Sequence, residues 1–146
     1  MSIKFYFPKG DYGFFSNFSR HPFKLDGRHW ATTEHYFQAQ KYYGTPRYDE
    51  IANASTPREA ANLGRDRSLP LRKDWEKIKD AVMKKCVLEK ILTYPGIKDS
   101  LLETGEQEII EDSPIDYYWG CGKNGTGKNM LGKILMEIRS ELRDTK

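Results

Sequence analysis

Between Pro70 and Pro95 the chain carries neither glycine nor proline. A stretch of that length with no breaker, dense in lysine, glutamate and leucine, folds most simply as one long helix. Trp75, Ile78, Val82 and Cys86 fall at spacings of three and four, on one face. The pattern predicts a helix from about Arg72 to Thr93, closed by Pro95 and Gly96. Most of the stability of such a helix comes from burying that stripe against other elements, so the rest of the chain must supply a partner surface.

The remaining punctuation divides the chain into short elements. Ile3 to Phe7 alternates and is aromatic, the pattern of a strand. Phe23 to Leu25, Asp26-Gly27 and Arg28 to Ala31 form a hairpin with an Asp-Gly turn. Thr33 caps a helix that begins at Glu34, runs to about Tyr43 and is ended by Gly44 and Pro46. Thr56, Pro57 and Glu59 combine a cap, a first-position proline and a capping-box glutamate, starting a helix that stops at Gly64. A short helix holds Leu101 and Leu102, and Gln107 to Glu111 is a short strand. Asp112 to Lys128 is a loop. Met130, Leu131, Ile134, Leu135 and Ile138 then repeat at helical spacing, so a last helix starts near Asn129 and runs to about Leu142. With no repeat or linker in 146 residues, the expectation is an α+β fold: one compact, mainly helical domain over residues 1–146 with a small β-sheet.

Composition excludes several classes. Charged residues at 31% and hydrophobic ones at 38% describe a globular chain, not a disordered or fibrous one. A net charge of +3 permits an anionic ligand but lacks the basic stripe of a dedicated nucleic-acid binder. Cys86 and Cys121 match no metal spacing and no disulfide framework, so no metal and no cofactor is expected and the compartment reads as reducing. The start, MSIKFYFPKG, is too short and polar for a signal peptide or membrane span, which points to the cytoplasm or the nucleus.

"WGCGKNGTGKNMLG", Trp119 to Gly132, nearly matches two phosphate-binding patterns. A P-loop needs Ser or Thr after its lysine to hold magnesium, and here Asn129 follows Lys128. Asp116, Tyr117 and Tyr118 do not form the buried apolar strand that should precede such a loop. A nucleotide triphosphatase or a dinucleotide fold is therefore rejected. Two readings survive: small residues and a helix N-terminus that admit an anionic ligand, or a turn that merely precedes the last helix.

Four segments carry groups that could do chemistry. On "TTEHYFQAQKYY", Glu34, Gln38 and Lys41 share one stripe of the helix, with Tyr36, Ala39 and Tyr43 opposite. This is either a solvated polar face or a carboxylate, an amide and an amine turned to a pocket. His35, with no nucleophile motif nearby, reads as a hydrogen-bonded structural residue. "DYGFFSNFSRHPF" offers Ser16, Asn17 and Phe18 for reading and stacking on a ring, or anchors a core. In "NLGRDRSLPLRKDW", Arg65, Arg67, Arg72 and Lys73 are phosphate ligands or solvated partners of a helix end. In the last loop, Asp116 lies just before Trp119, as a ligand wall or as a turn-forming aspartate.

In order, "SNF", "TEHYFQAQK" after the Asp-Gly hairpin and its tryptophan, "GR", "D-x-x-WG-x-G" and "G-x-N-x-LG-x-x-L-M-x-x-R" resemble the YbiA/NADAR family. The resemblance runs from Phe5 to about Arg143, and the second and last two blocks are its most specific parts.

That resemblance implies a small α+β N-glycosidase that cuts the bond between ribose C1 and a nitrogen of a guanine-derived base. Two substrate classes go with it: ADP-ribose on guanine, in DNA, RNA or free nucleotides, and the phosphoribosylated amino-pyrimidines of riboflavin synthesis. The chain shows no fused riboflavin-pathway domain, which tilts the expectation to the first. The catalytic expectations are Glu34 as charge stabiliser or proton shuttle, Lys41 as nucleophile through a ring-opened imine, and Asp116 on a ribose hydroxyl or the base. Asn17, Tyr36 and Gln38 are expected to bind the substrate, Trp119 to stack on a ring, and Phe18 and Phe15 are further stacking candidates. Arg65 is a phosphate ligand, and Gly120, Asn129 and Leu131 offer backbone or amide groups to ribose and phosphate. Two readings of other classes compete: a non-catalytic module for ADP-ribose or NAD-like ligands, and a single-strand binder with aromatic loops.

Overall fold

The computed structural model describes residues 2–145. They form an α+β structure that is mainly helical. In chain order the elements are β1 (Ser2–Phe5), β2 (Phe23–Leu25), β3 (Arg28–Trp30), α1 (Thr33–Gln40), α2 (Pro46–Ala52), α3 (Pro57–Arg65), α4 (Trp75–Thr93), α5 (Pro95–Glu103), β4 (Glu108–Glu111) and α6 (Met130–Asp144). Two compact units emerge, one of Arg20–Lys90 and one that joins Met1–Ser19 to Ile91–Lys146, with the division inside α4.

The expected small sheet is two separate pairs of strands, one in each unit. In the continuous unit β2 and β3 form the antiparallel hairpin, with Phe23 opposite Trp30. Asp26 and Gly27 turn the chain with φ of 54° and 76°, the doubly positive turn that Asp-Gly favours. Trp30 is fully buried, its Nε1 donating to the Leu25 carbonyl at 3.0 Å. The Tyr36 ring meets Trp30 edge-on at 5.0 Å, and Phe37 packs on Trp75 at 5.1 Å.

The other unit is closed by residues far apart in sequence. β1 pairs in parallel with β4, Ile3 opposite Ile109 and Phe5 opposite Glu111. α6 packs on β4 and α5 on α6. Their contact is lined by Leu101, Ile109, Leu131, Leu135 and Ile138, all at most 1% exposed.

Two prolines have a role beyond the one predicted. Pro46 and Pro95 follow helices that end before them, and each also opens the next one, α2 and α5. A first-turn proline has no intrahelical hydrogen bond to lose and its φ is already helical, so the same residue that stops one helix starts the next. The cap of α1 is Thr32, not Thr33: its hydroxyl accepts from the His35 N–H at 3.1 Å. Thr56 caps α3 as predicted, accepting from Glu59 N–H at 3.0 Å. No helix among the described residues is long and apolar enough to cross a membrane.

Candidate functional site

α1 is buried on every side: each residue from Thr33 to Gln40 is inaccessible or nearly so. The polar stripe is thus not a solvated face. Glu34, Gln38 and Lys41 are 6%, 4% and 7% exposed. Burying a carboxylate and an amine is costly unless they find partners or change charge. Glu34 Oε2 accepts a 2.7 Å hydrogen bond from the Gln38 amide. The Lys41 ammonium lies 5.6 Å from the Phe37 ring centre and 6.0 Å from that of Trp75.

Lys41 titrates well below an ordinary lysine, at about 8. Burial is the main cause, and the positive charge of Arg67 adds to it. Glu34 pulls the other way, while Arg65 and Lys79 lower it further. At neutral pH about a tenth of the Lys41 amines are therefore uncharged, against well under a thousandth for an ordinary lysine. A buried carboxylate and a buried amine thus share one environment, within reach of the charges of Arg65 and Arg67.

The arginines are placed by α3. Gly64 sits so close to α1 that a Cβ there would overlap Oε1 of Gln38. That oxygen is buried and has no hydrogen-bond donor among the described residues. The Tyr42 hydroxyl lies 3.0 Å from the Gly64 carbonyl oxygen and 2.9 Å from that of Asp66, and Arg67 donates to the Gly64 carbonyl at 2.6 Å. This knot fixes the turn that carries Arg65 and Arg67, both exposed, where their charge reaches Lys41. Sequence reasoning offered Arg65 and Arg67 as phosphate ligands but gave no role to Gly64 or Tyr42 in shaping the site. The adjacent "GR" was the available signal.

Other expected ligand residues of this unit are engaged elsewhere. Tyr36 donates its hydroxyl to Asp26 at 2.7 Å, and burial with that carboxylate pushes its ionisation up. His35 is fully buried, bonded through Nδ1 to the Thr32 hydroxyl at 2.8 Å and through Nε2 to the Ala54 carbonyl at 3.0 Å, as a structural histidine should be.

In the second unit the end of the glycine loop is tied to the loop's own main chain. Successive N–H groups that would face a phosphate are already bonded to carbonyls of the same loop. Lys128 donates to Tyr117 at 2.8 Å, Asn129 to Gly120 at 3.0 Å, Met130 to Tyr118 at 2.9 Å and Leu131 to Trp119 at 3.1 Å. The N-terminus of α6 is thereby capped by main chain. Asn129, expected to serve ribose or phosphate, instead clamps β4: Oδ1 accepts from Glu111 N–H and Nδ2 donates to Ile109, both at 2.9 Å. Leu131 is core, and Gly120 is buried against the same clamp as an acceptor. These three positions shape the loop.

Asp116 Oδ1 accepts from Tyr118 N–H at 2.9 Å and Trp119 N–H at 2.8 Å, forming the turn. That turn leaves Trp119 half-buried, its ring edge-on to Tyr118 at 4.8 Å. Asn17 is buried and Phe18 half-buried after a single helical turn at Gly13–Phe15. Phe15 itself is core, edge-on to Phe5 at 5.8 Å. Among the described residues no three His, Cys, Asp or Glu side chains gather as a metal site.

Residues 4–143 match the NADAR domain family. The chain is 47% identical over 140 residues to N-glycosidase YbiA of Escherichia coli K12, covering 96% of this chain and 88% of that protein. It is 46% identical over 147 residues to N-glycosidase Npun_R5314 of Nostoc punctiforme, covering 99% and 94%. It is 39% identical over 158 residues to the chloroplastic riboflavin biosynthesis protein PYRR of Zea mays, covering 98% of this chain and 25% of that one. The solution structure of E. coli YbiA superposes with a TM-score of 0.91 at 46% identity, over 99% of this chain and 88% of that one.

Proposed function

The chain belongs to the NADAR domain family, and from that premise we propose that it is an N-glycosidase acting on a ribosyl C1–N bond to a guanine-derived base, with Lys41 as nucleophile and Glu34 as proton carrier. The observation that carries the reading is a buried lysine titrating at about 8 in the field of a buried glutamate. Imine chemistry needs such an amine.

The uncharged Lys41 Nζ attacks ribose C1. The C1–N bond breaks with its electron pair going to the base nitrogen, which takes a proton handed on by Glu34. The bond between C1 and the ring oxygen then breaks, its electron pair staying on that oxygen, which takes the remaining Nζ proton as the imine forms between C1 and Nζ. Water adds to C1, the C1–Nζ bond breaks, and the sugar and Lys41 are released. One water is consumed and no redox step occurs. The positive charge that develops on C1 and the ring oxygen is stabilised by the Glu34 carboxylate. Arg65 serves a substrate phosphate, and Gln38 holds the Glu34 carboxylate in place.

The expected substrate is ADP-ribosylated guanine, in nucleic acid or as a nucleotide. A second reading, phosphoribosylated amino-pyrimidines of riboflavin synthesis, is favoured by the names of the maize relative and of riboflavin biosynthesis protein VVA0006 of Vibrio vulnificus, 37% identical over 142 residues. The family match spans both compact units without a break, which supports reading 1–146 as one domain.

The test is a mass-spectrometric hydrolysis assay on both substrates, with sodium borohydride added in a parallel reaction. Trapping of the sugar on Lys41, with release abolished by Lys41→Arg and Glu34→Gln, is the expected result. Turnover with no trapped adduct would replace the imine by direct attack of water. No turnover of either substrate, with ADP-ribose still bound, would make the protein a binding module.

A further inference from the structure

α1 has a second polar residue that the chemistry above leaves unused. Gln40 is 6% exposed, and its Nε2 is buried with no hydrogen-bond acceptor among the described residues. It lies about 120° around the helix from Glu34 and about 100° from Lys41, so it does not belong to their stripe. A buried donor without an acceptor is costly, and Gln40 lines an open cavity of about 830 Å³.

The walls of that cavity are flat. Tyr43 is 64% exposed and meets Tyr48 edge-on at 5.5 Å. The Arg28 guanidinium lies 5.7 Å from the Tyr48 ring centre, and that of Arg72 lies 5.8 Å from Tyr43. These rings and planes suit a planar ligand. The charges are already matched: Arg28 pairs with Asp49 at 2.7 Å, Arg72 with Asp74 at 2.6 Å, and Asp26 with Lys85 at 2.9 Å. A ligand brought in by its own net charge would find little to attract it.

The geometry points to a second binding site for an uncharged nucleobase, stacked on Tyr43 with a carbonyl or ring-nitrogen acceptor turned to the Gln40 amide. It is separate from the Glu34–Lys41 stripe and does not depend on the reaction proposed there. Nucleosides satisfy the requirement, because both cations that line the cavity, Arg28 and Arg72, are already paired.

The test titrates the full chain with guanosine, adenosine and uridine while side-chain amide signals are followed by NMR. The expected result is movement of the Gln40 amide signals, a binding constant that changes less than twofold between 50 and 500 mM salt, and equal affinity for a nucleoside and its 5′-monophosphate. Tyr43→Ala should weaken binding tenfold or more. Gln40→Met, which keeps the volume and removes the donor, should weaken it about fivefold and raise the melting temperature of the free protein. Binding that moves only signals around Lys41, or that survives Tyr43→Ala unchanged, overturns the site. A monophosphate bound more than tenfold tighter than its nucleoside overturns the uncharged-ring assignment. Hydrolysis in the assay above is scored independently, so either idea can fail alone.

Discussion

Gln38 and Glu34 stand one helical turn apart with Nε2 of the first 2.7 Å from Oε2 of the second, and both are more than nine-tenths buried. The amide thus fixes one carboxylate oxygen in a place where water cannot. Gln38→Leu should cost about 2 kcal/mol of stability, the worth of a hydrogen bond to a buried charged group, and lower kcat more than it raises KM. Denaturant unfolding and steady-state kinetics check the pair of effects.

Gly64→Ala should fail by crowding. Its Cβ would overlap Oε1 of Gln38, so either α3 or the amide must move. A loss of about 2 kcal/mol is expected, with activity falling as the Glu34 clamp is displaced. Pairing it with Gln38→Ala should restore part of the stability, and a double-mutant cycle that shows strict additivity would contradict the contact.

Lys41 links stability to pH. Its folded-state value of about 8 lies below the ordinary 10.5. The folded protein therefore holds fewer protons than the unfolded chain between those values. Stability is lost as pH falls from about 10.5 to about 8 and is level below that. Lys41→Met removes this dependence. The unfolding free energy of the wild type relative to that variant should drop by about 3 kcal/mol across the window, followed by urea unfolding at a series of pH values. Activity runs the same way but over a lower range: it should climb as pH rises through about 8 and then level.

Arg67 lowers the Lys41 value through its charge. Arg67→Ala should push Lys41 back toward an ordinary lysine and cut activity at pH 7 by about threefold to tenfold, while activity at pH 9.5 is nearly kept. Arg67→Lys should behave as wild type. A loss equal at both pH values would assign Arg67 to substrate binding.

Asn129→Ala leaves the Glu111 N–H and the Ile109 carbonyl without their partner. It should cost about 2–4 kcal/mol and loosen the glycine loop, seen as faster amide exchange from Tyr117 to Leu131. An unchanged exchange pattern would show that the main-chain bonds alone hold the loop.

Local signals were legible where one residue type has one use. Thr56-Pro57-x-Glu59 started a helix and Asp26-Gly27 turned a hairpin, as read. Pro46 and Pro95 were only half read, because proline ends one helix and begins the next by the same geometry. The stripe of Glu34, Gln38 and Lys41 was visible as spacing, but spacing does not tell water from protein. The burial of that stripe depends on α3 approaching at Gly64, a contact between elements. Asn129 illustrates the same limit: its type suited a ligand contact, and its partners proved to be β4, twenty residues away in sequence.

The parallel pairing of β1 with β4 sets an order of events on the ribosome. Ser2–Phe5 is made well before the strand it pairs with, Glu108–Glu111. Arg20–Lys90 has its own hairpin, helices and core, and can collapse while the first strand still waits. For that interval a strand has both edges unmatched, so the synthesis of this chain passes through a stage at which chaperones and neighbouring nascent chains compete for that strand.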